Sequence, residues 1–285
     1  MPSVGSLLCL VSEASTSSAA LQQALYLACA LDAPLWVGSA EGVPRAALTT
    51  LLSALPAGGP APPAVAASLT GPAVGLEAVQ QYVTTHDIDL VITDTPADRG
   101  PVPALAAPST RTLVEHLDCS LFVVEHTTPC PALDRILVPT DLSDASRSAL
   151  AWAARLAAAC DATIDLLHVL EATPYVALTR MDRLSMTPGS FPERRARRQL
   201  SAFLSEGPAL EGPLEPHVAY GDPADQISRF LRRHAPGLTV LAAHGAGAGP
   251  APDAPVGPVA DRVLRRVTTP LFLIRPARSP APTGG

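Results

Sequence analysis

Short apolar stretches alternate with alanine-rich amphipathic stretches along most of the chain. The apolar stretches are bounded by Gly, Pro, Ser or Asp, a pattern typical of buried strands, and the stretches between them repeat their apolar residues at helical spacing. In the first half we predict strands at 6–11, 34–39, 62–69, 89–94 and 120–125, and helices at 15–31, 44–55, 72–86 and 109–117. In the second half we predict strands at 135–139, 163–170, 214–220, 238–243 and 270–275, and helices at 144–160, 192–206, 222–235 and 258–267.

This alternation of strand and helix predicts an α/β fold. Consecutive βα units build a parallel sheet that is covered by helices on both faces, because the crossover connections are right-handed. In such open sheets a ligand binds beyond the carboxyl ends of the strands, where the strand order reverses. Any small-molecule site is therefore expected at that edge.

The sequence contains an internal repeat. SLLCLVSEASTSSAAL at 6–21 aligns with RILVPTDLSDASRSAL at 135–150, and SLFVVE at 120–125 matches PLFLIR at 270–275. A repeat of this length indicates two like domains, because a solenoid has a much shorter period. The predicted organisation is a first domain at 1–126, a linker at 127–133, a second domain at 134–276 and a flexible C-terminal tail at 277–285.

Composition and charge narrow the class of protein. The chain has 47% hydrophobic and 16% charged residues, which is typical of a globular protein. Its net charge is −6, and it has no stripe of basic residues such as nucleic-acid-binding proteins carry. No apolar run is long enough to span a membrane, and the first basic residue is Arg45, so a secretory signal is not expected. We expect a cytoplasmic protein that binds neither membranes nor nucleic acid.

Two residue types limit the possible chemistry. All 20 Lys-or-Arg positions are Arg, so the chain has no lysine for a Walker A motif, a Schiff base or a Ser–Lys dyad. The five Cys form no CxxC pair and are expected to be reduced, buried thiols. The histidines show no metal-ligand spacing and no G-x-S-x-G elbow occurs, so we predict neither catalytic residues nor a metal site.

The stretch at 238–276 combines a strand, a loop rich in Gly, Pro and Ala, a short helix and a second strand. A glycine loop that enters a helix lets backbone N–H groups approach an anion. The alternative is a surface turn that binds nothing. The stretch by itself favours neither interpretation.

Several segments together carry a resemblance to a known family. ILVPTDLSDASRSAL, DLLHV, YGDPADQI, LAAHG and VGPVADRVLRRVTTPLFLIR occur in this order over 132–276, and this half resembles a universal stress protein domain. The first half resembles a degenerate copy, so the whole chain resembles a tandem universal stress protein. This implies two five-stranded, Rossmann-like domains of the adenine nucleotide alpha hydrolase-like class, arranged as an intramolecular pseudo-dimer. Because the fifth strand of each copy is apolar, we expect these two strands to meet or to lie near the contact between the domains.

The resemblance also implies candidate binding residues for ATP, which some family members bind. Asp141 follows the first strand of the second copy and could orient a ribose, an adenine or a metal-bound group, or else satisfy the amides of the next helix. Val169 matches a position whose backbone contacts adenine, although ordinary core packing explains it as well. Gly245 and Gly257 match two glycines of the ATP-binding loop and would bring amides to the phosphates.

The chain departs from the family's ATP-binding motif. Ala242 stands where the motif has its first glycine, Pro258 stands where it has Ser or Thr, and the loop at 246–256 is two residues longer. The first copy has Ser12 in place of Asp141 and lacks the glycine loop. We therefore expect at most a partly retained nucleotide cleft, and only in the second domain.

Three functional hypotheses remain open from the sequence. The first is a non-enzymatic stress-response protein, the second an ATP-binding sensor or switch, and the third a slow nucleotide hydrolase that uses Asp141, Asp253 and His244. The expected partner is a small nucleotide, while protein partners and a homodimer are left open. An arginine-rich stretch forms either a clamp for an anion or partner or a solvated helix face; its members are Arg180, Arg183, Arg194, Arg195, Arg197 and Arg198.

Overall fold

A computed structural model describes ten strands and seven helices, within residues 6–11, 19–39, 65–70, 75–95, 110–125, 133–171, 191–207, 210–245, 256–266 and 269–275. The first-half elements are β1 (Ser6–Val11), α1 (Ala19–Leu31), β2 (Leu35–Ser39), β3 (Val65–Thr70), α2 (Leu76–Thr85), β4 (Ile88–Thr95), α3 (Thr110–His116) and β5 (Ser120–Glu125). The second-half elements are β6 (Arg135–Thr140), α4 (Asp144–Cys160), β7 (Thr163–Leu170), α5 (Phe191–Ser205), β8 (Leu214–Tyr220), α6 (Pro223–His234), β9 (Leu238–Ala242), α7 (Pro258–Leu264) and β10 (Leu271–Ile274).

The α/β fold and its mostly parallel sheet are confirmed, and the predicted elements recur within a few residues of their expected bounds. The predicted helix at 258–267 is shorter: α7 ends at Leu264, with Arg265 as its C-cap, and the next amide, Arg266 N–H, bonds to the Val263 carbonyl three residues back instead of four. The predicted helix at 44–55 lies outside the described residues, as do most of the predicted linker and the C-terminal tail. The predicted domain bounds stay a prediction.

The first of two compact units contains β1–β5 together with β10. Its strand order is β3-β2-β1-β4-β5-β10, parallel up to β5 and antiparallel between β5 and β10. Phe122 lies opposite Phe272, both are fully buried, and their ring centroids are 5.6 Å apart. The two apolar fifth strands therefore meet, as expected, and each covers an edge that would otherwise be open.

The second unit contains β6–β9 and α4–α7, and its strands are parallel in the order β9-β6-β7-β8. From β6 the chain proceeds to β7 and β8 on one side and returns as β9 on the other side. The loops that follow β6 and β9 therefore diverge, which opens a crevice at the carboxyl ends of these strands. Helix α4 packs against β6 and β9, while α6 packs against β7 and β8.

A buried ion pair crosses three strands of this sheet. The Asp165 carboxylate on β7 is fully buried and accepts hydrogen bonds from Arg135 Nε at 2.9 Å, Arg135 Nη2 at 2.5 Å and His217 Nε2 at 2.8 Å. Burial raises the pKa of Asp165, but the hydrogen bonds from Arg135 and His217 outweigh it, and the net pKa is lowered. The ionised carboxylate thereby joins β6, β7 and β8.

Replacing this carboxylate tests its contribution to stability. Because Asp165→Asn leaves Arg135 and His217 without their anionic acceptor, we expect the free energy of unfolding at pH 7 to fall by about 3 kcal/mol in urea titrations. The matched control is Glu215→Gln, whose side chain is 53% exposed while it pairs with Arg135, so its effect should stay within about 0.5 kcal/mol.

The effect of Asp165→Asn on the free energy of unfolding should depend on pH. A carboxyl group with a lowered folded-state pKa stabilises the protein above its unfolded pKa of about 4, and this stabilisation is lost as the pH falls through the folded value. The difference between wild type and Asp165→Asn should therefore shrink below about pH 4. An equal difference at pH 7 and pH 3 would contradict the ion pair.

Candidate ligand-binding cavity

A cavity of about 420 Å³ opens at the carboxyl ends of β6, β7 and β9, where the strand order of the second unit reverses. Its walls come from the ends of these strands and from the first turns of α6 and α7. The lining residues are Pro139, Thr140, Asp141, Ser146, Leu167, His168, Val169, Glu171, Pro223, Ile227, Leu241, Ala242, Ala243, His244, Gly245, Gly257, Pro258, Val259 and Ala260.

Asp141 is oriented by the turn between β6 and α4. Its Oδ1 accepts hydrogen bonds from Ser143 N at 3.1 Å, from Ser143 Oγ at 2.5 Å and from Ser146 Oγ. Ser143 is the residue that caps α4, because its side chain accepts from Ser146 N. The helix amides therefore do not require Asp141 as a cap, and the turn instead fixes the direction of its carboxylate.

The turn also contains a strained residue. Leu142 has a φ of 67°, a left-handed conformation that costs a bulky L-residue of order 1–3 kcal/mol. Its backbone N–H donates to Thr140 Oγ1 at 3.0 Å. This sharp turn of the backbone places Asp141, the first residue after β6, at the mouth of the cavity.

Gly245 lies in close contact with the Asp141 carboxylate. A Cβ on Gly245 would clash with Asp141 Oδ2 and would lie 3.2 Å from Asp141 Cγ. The carboxylate therefore packs on the backbone of the loop that follows β9. This contact joins the two diverging ends of the crevice and explains the glycine through packing within the chain.

Gly257 holds the other end of the loop. Its N–H donates to the Ala243 carbonyl at 2.7 Å, and a Cβ on Gly257 would lie 3.3 Å from the same oxygen. The two ends of the loop at 246–256 are thus joined to each other. Because the Gly257 amide is used within the chain, it is not directed at a ligand.

The carboxyl end of β7 supplies the opposite wall. His168 is buried, and its Nδ1 donates to the Thr140 carbonyl at 2.9 Å, which ties β7 to the end of β6. Val169 is half-buried and lies opposite Ala219 in the β7–β8 register. Val169 lines the cavity, and the contact of its backbone with adenine stays a prediction.

The structure brings all four predicted site residues to one cavity: Asp141, Val169, Gly245 and Gly257. Their role as ligand contacts stays a prediction. Sequence reasoning missed Glu171, Ile227 and Val259, which also line the cavity. The helical spacing of α6 marks Ile227 as inward-facing, but the sequence does not show which strand ends lie beneath it.

Ion pairs fix α7 against α6. Asp222 caps α6 by accepting from Asp225 N at 3.0 Å, and Arg262 donates to both Asp222 carboxylate oxygens at 2.7 and 2.8 Å. Arg266 Nη1 lies 2.6 Å from Asp225 Oδ1. The Arg262 hydrogen bonds are the main cause that lowers the pKa of Asp222. The two helices that wall the cavity are therefore held together by charge.

Two other groups in the described part of the chain have a structural explanation. Burial raises the pKa of the Cys119 thiol to about 12, so it stays protonated at neutral pH and is a poor nucleophile. Asp165, Glu215 and His217 present ligand atoms within 4.8 Å of one another, but Arg135 already donates to both carboxylates and neutralises part of their charge. This cluster is an ion-pair network.

The structure describes only some of the predicted hydrolase residues and only part of the arginine-rich stretch. His244 lines the cavity, whereas Asp253 lies outside the described residues. On α5, Arg197 pairs with Glu193 at 2.8 Å, and Arg194, Arg195 and Arg198 are exposed. This part of the stretch is a solvated helix face, as one of the two interpretations expected.

Comparison with protein families matches residues 132–275 to the universal stress protein family. The chain belongs to the universal stress protein family. The matched residues include every element that lines the cavity, so the site lies within the part of the chain that the family model recognises. No curated protein matches this family member.

Solved structures share the fold over nearly the whole length of this universal stress protein. A protein of unknown function from Pseudomonas aeruginosa PAO1 is 19% identical, with 96% of this chain and 93% of that chain covered and a TM-score of 0.68. A universal stress protein from Archaeoglobus fulgidus DSM 4304 is 13% identical, with 94% and 96% covered and a TM-score of 0.56. Among the described residues, no helix has the length and apolar character needed to cross a membrane.

The contact between Asp141 and Gly245 can be tested by a double-mutant cycle. Gly245→Ala forces the carboxylate away from the Ser143 and Ser146 donors, so we expect the free energy of unfolding to fall by about 1–3 kcal/mol. In an Asp141→Ala background the same change should cost less than about 0.5 kcal/mol. Gly212→Ala is the control, because its Cβ would meet only the Ala162 carbonyl at 3.9 Å. Equal costs in both backgrounds would contradict the packing contact.

Proposed function

We propose that this protein is a tandem universal stress protein that binds a small nucleoside-type ligand in the cavity of its second unit and carries out no reaction on it. The observation that carries this proposal is the convergence of Asp141, Val169, Gly245 and Gly257 on one cavity at the reversal of strand order. Binding at such a reversal is the general rule for open α/β sheets.

The cavity has the size and the chemistry that a nucleoside needs. Its volume of about 420 Å³ lies within the range of small-molecule sites. Val169, Ile227 and Val259 offer apolar surface to a flat heteroaromatic base, while Asp141 offers a carboxylate to ribose hydroxyls at the mouth. A mostly apolar pocket with a few convergent polar groups is typical of such ligands.

The internal order of strands supports the tandem arrangement. In the first unit β3-β2-β1-β4 follows the same order as β8-β7-β6-β9 in the second, and each set has parallel neighbours. Together with the sequence repeat, this supports two copies of one module. The first copy has Ser12 where the second has Asp141, so the ligand site is proposed for the second copy alone.

The polar groups of the cavity support binding better than catalysis. Hydrolysis of a nucleotide requires a general base within reach of a water molecule, and usually a metal held by carboxylates. Asp141 Oδ1 already accepts from three donors in its own turn, which suits a positioning role. The alternative function, an ATP-binding switch, ranks second because the Gly257 amide that it requires is bonded to Ala243.

Calorimetric titration with adenosine tests the proposal. We expect saturable binding that falls at least about tenfold in Val259→Trp, because the indole fills the cavity. Leu204→Trp is the matched control, since Leu204 is half-buried on α5 and does not line the cavity. Leu204→Trp should bind adenosine with the affinity of the wild-type protein. Absence of saturable binding of adenosine, AMP and ATP alike would refute the proposal.

A phosphate-release assay tests the absence of a reaction. Incubation of the purified protein with ATP and Mg²⁺ should release no more phosphate than buffer does, and Asp141→Asn should give the same result. Release that depends on wild-type protein and disappears in Asp141→Asn would instead support the slow hydrolase.

A further inference from the structure

Helix α5 has an inner side that the fold holds in place. Ala196, Leu200 and Phe203 are buried at helical spacing, and the helix packs on β7 and β8. Near its carboxyl end, Arg147 of α4 donates from Nη1 to the Phe203 carbonyl at 2.8 Å, and its guanidinium carbon lies 4.5 Å from the centre of the Phe203 ring. Because α5 is anchored in this way, its outer side has a fixed direction.

The outer side of α5 presents three exposed arginines, Arg194, Arg195 and Arg198, which we call the arginine face. In the part of the chain that the structure describes, none of the three forms an ion pair. Arg197 on the same helix differs, because its Nη2 lies 2.8 Å from Glu193 Oε1. The arginine face therefore carries positive charge that is left to solvent in the free chain.

This charge does not stabilise the helix that carries it. Arg198 follows Arg194 by four residues and Arg195 by three, so like charges are neighbours on the helix surface and repel each other. None of them lies in the last turn of α5, where the helix dipole favours cations. Arg232 and Arg233 of α6, in contrast, lie in the last turn of their helix. The dipole thus accounts for exposed arginines on α6 but not for those on α5.

The arginine face fits a partner rich in carboxylates. A guanidinium group can donate two parallel hydrogen bonds to one carboxylate. The rise from Arg194 to Arg198 is about 6 Å, close to one helical turn. The same side of α5 continues with small, exposed side chains at Ser201, Ala202 and Ser205. A segment with glutamates one turn apart can therefore lie along this surface without a steric clash.

Two other classes of anionic partner fit this surface less well. Nucleic-acid binders meet many phosphates with a broad basic surface, whereas this chain has a net charge of −6. A helix that binds a membrane surface carries large apolar residues beside its cations. Beside the arginine face, α5 instead exposes Gln199, Ser201 and Ala202. These observations favour a protein partner.

We propose that the arginine face of α5 is a docking surface for an acidic segment of another protein. The surface is independent of the proposed ligand site, since no residue of α5 occurs among the cavity-lining residues that the structure describes. Docking replaces repulsion among Arg194, Arg195 and Arg198 by ion pairs with carboxylates. Because the chain as a whole is negatively charged, the attraction acts only at short range and is weakened by salt.

Fluorescence anisotropy of a labelled alanine-based peptide with glutamates at helical spacing tests the proposal on the full chain. We expect saturable binding that weakens as the NaCl concentration rises, and no binding of the same peptide with glutamine in place of glutamate. The variant R194Q/R195Q/R198Q should bind at least about tenfold more weakly, because three exposed ion pairs are lost. Lysine at the same three positions should restore most of the affinity, since it keeps the charge.

The matched control is R229Q/R232Q/R233Q on α6, which removes the same charge from another exposed helix surface. Its affinity for the peptide should stay within about twofold of wild type, because at about 0.1 M salt charges more than about 10 Å apart are largely screened. The thermal unfolding midpoint of the α5 variant should equal or exceed that of wild type, since repulsion between like charges is removed.

Several outcomes would overturn the docking surface. Equal losses of affinity in the α5 and α6 variants would show attraction to charge in general, and absence of saturable peptide binding would show none. A lower unfolding midpoint in the α5 variant would show that its arginines stabilise the chain, which removes the reason for a partner. Oligothymidylate or phosphatidylserine vesicles that bind more tightly than the peptide, through the same arginines, would assign the surface to a nucleic acid or a membrane instead.

Discussion

The approach of the Asp141 carboxylate to the Gly245 backbone connects the two loops that diverge at the reversal of strand order. The Ser143 and Ser146 donors hold the carboxylate on one side, and the missing side chain of Gly245 admits it on the other. Strands β6 and β9 also pair directly and are both packed by α4, and this contact adds a link beyond their ends. The same contact places a negative charge where a ligand would enter.

The rest of the cavity is stabilised by short links that also lie within the second unit. The Gly257–Ala243 hydrogen bond joins the ends of the glycine loop, and the Arg262–Asp222 pair holds α7 against α6. Both links hold backbone or helices in place at the wall of the cavity without filling it.

Much of this arrangement could be predicted from sequence, for identifiable reasons. Hydrophobic periodicity located the strands and helices, and motif order placed Asp141 and Val169 near one another because they lie at the carboxyl ends of two strands of one parallel sheet. The direction of the Gly257 amide could not be predicted, since it depends on the path of the loop. The Asp165 ion pair was missed because it joins residues from three strands whose register is set only on folding. The pairing partner of β10 was anticipated from its apolar character, but its antiparallel direction was not.

The most direct test of this account is a crystal structure of the protein grown with adenosine. We predict electron density for a purine against Val169 and Ile227, with the ribose beside Asp141 and the Asp141 carboxylate still against Gly245. Adenosine bound only outside this cavity would contradict the central claim, and so would a bound structure in which Asp141 has left Gly245.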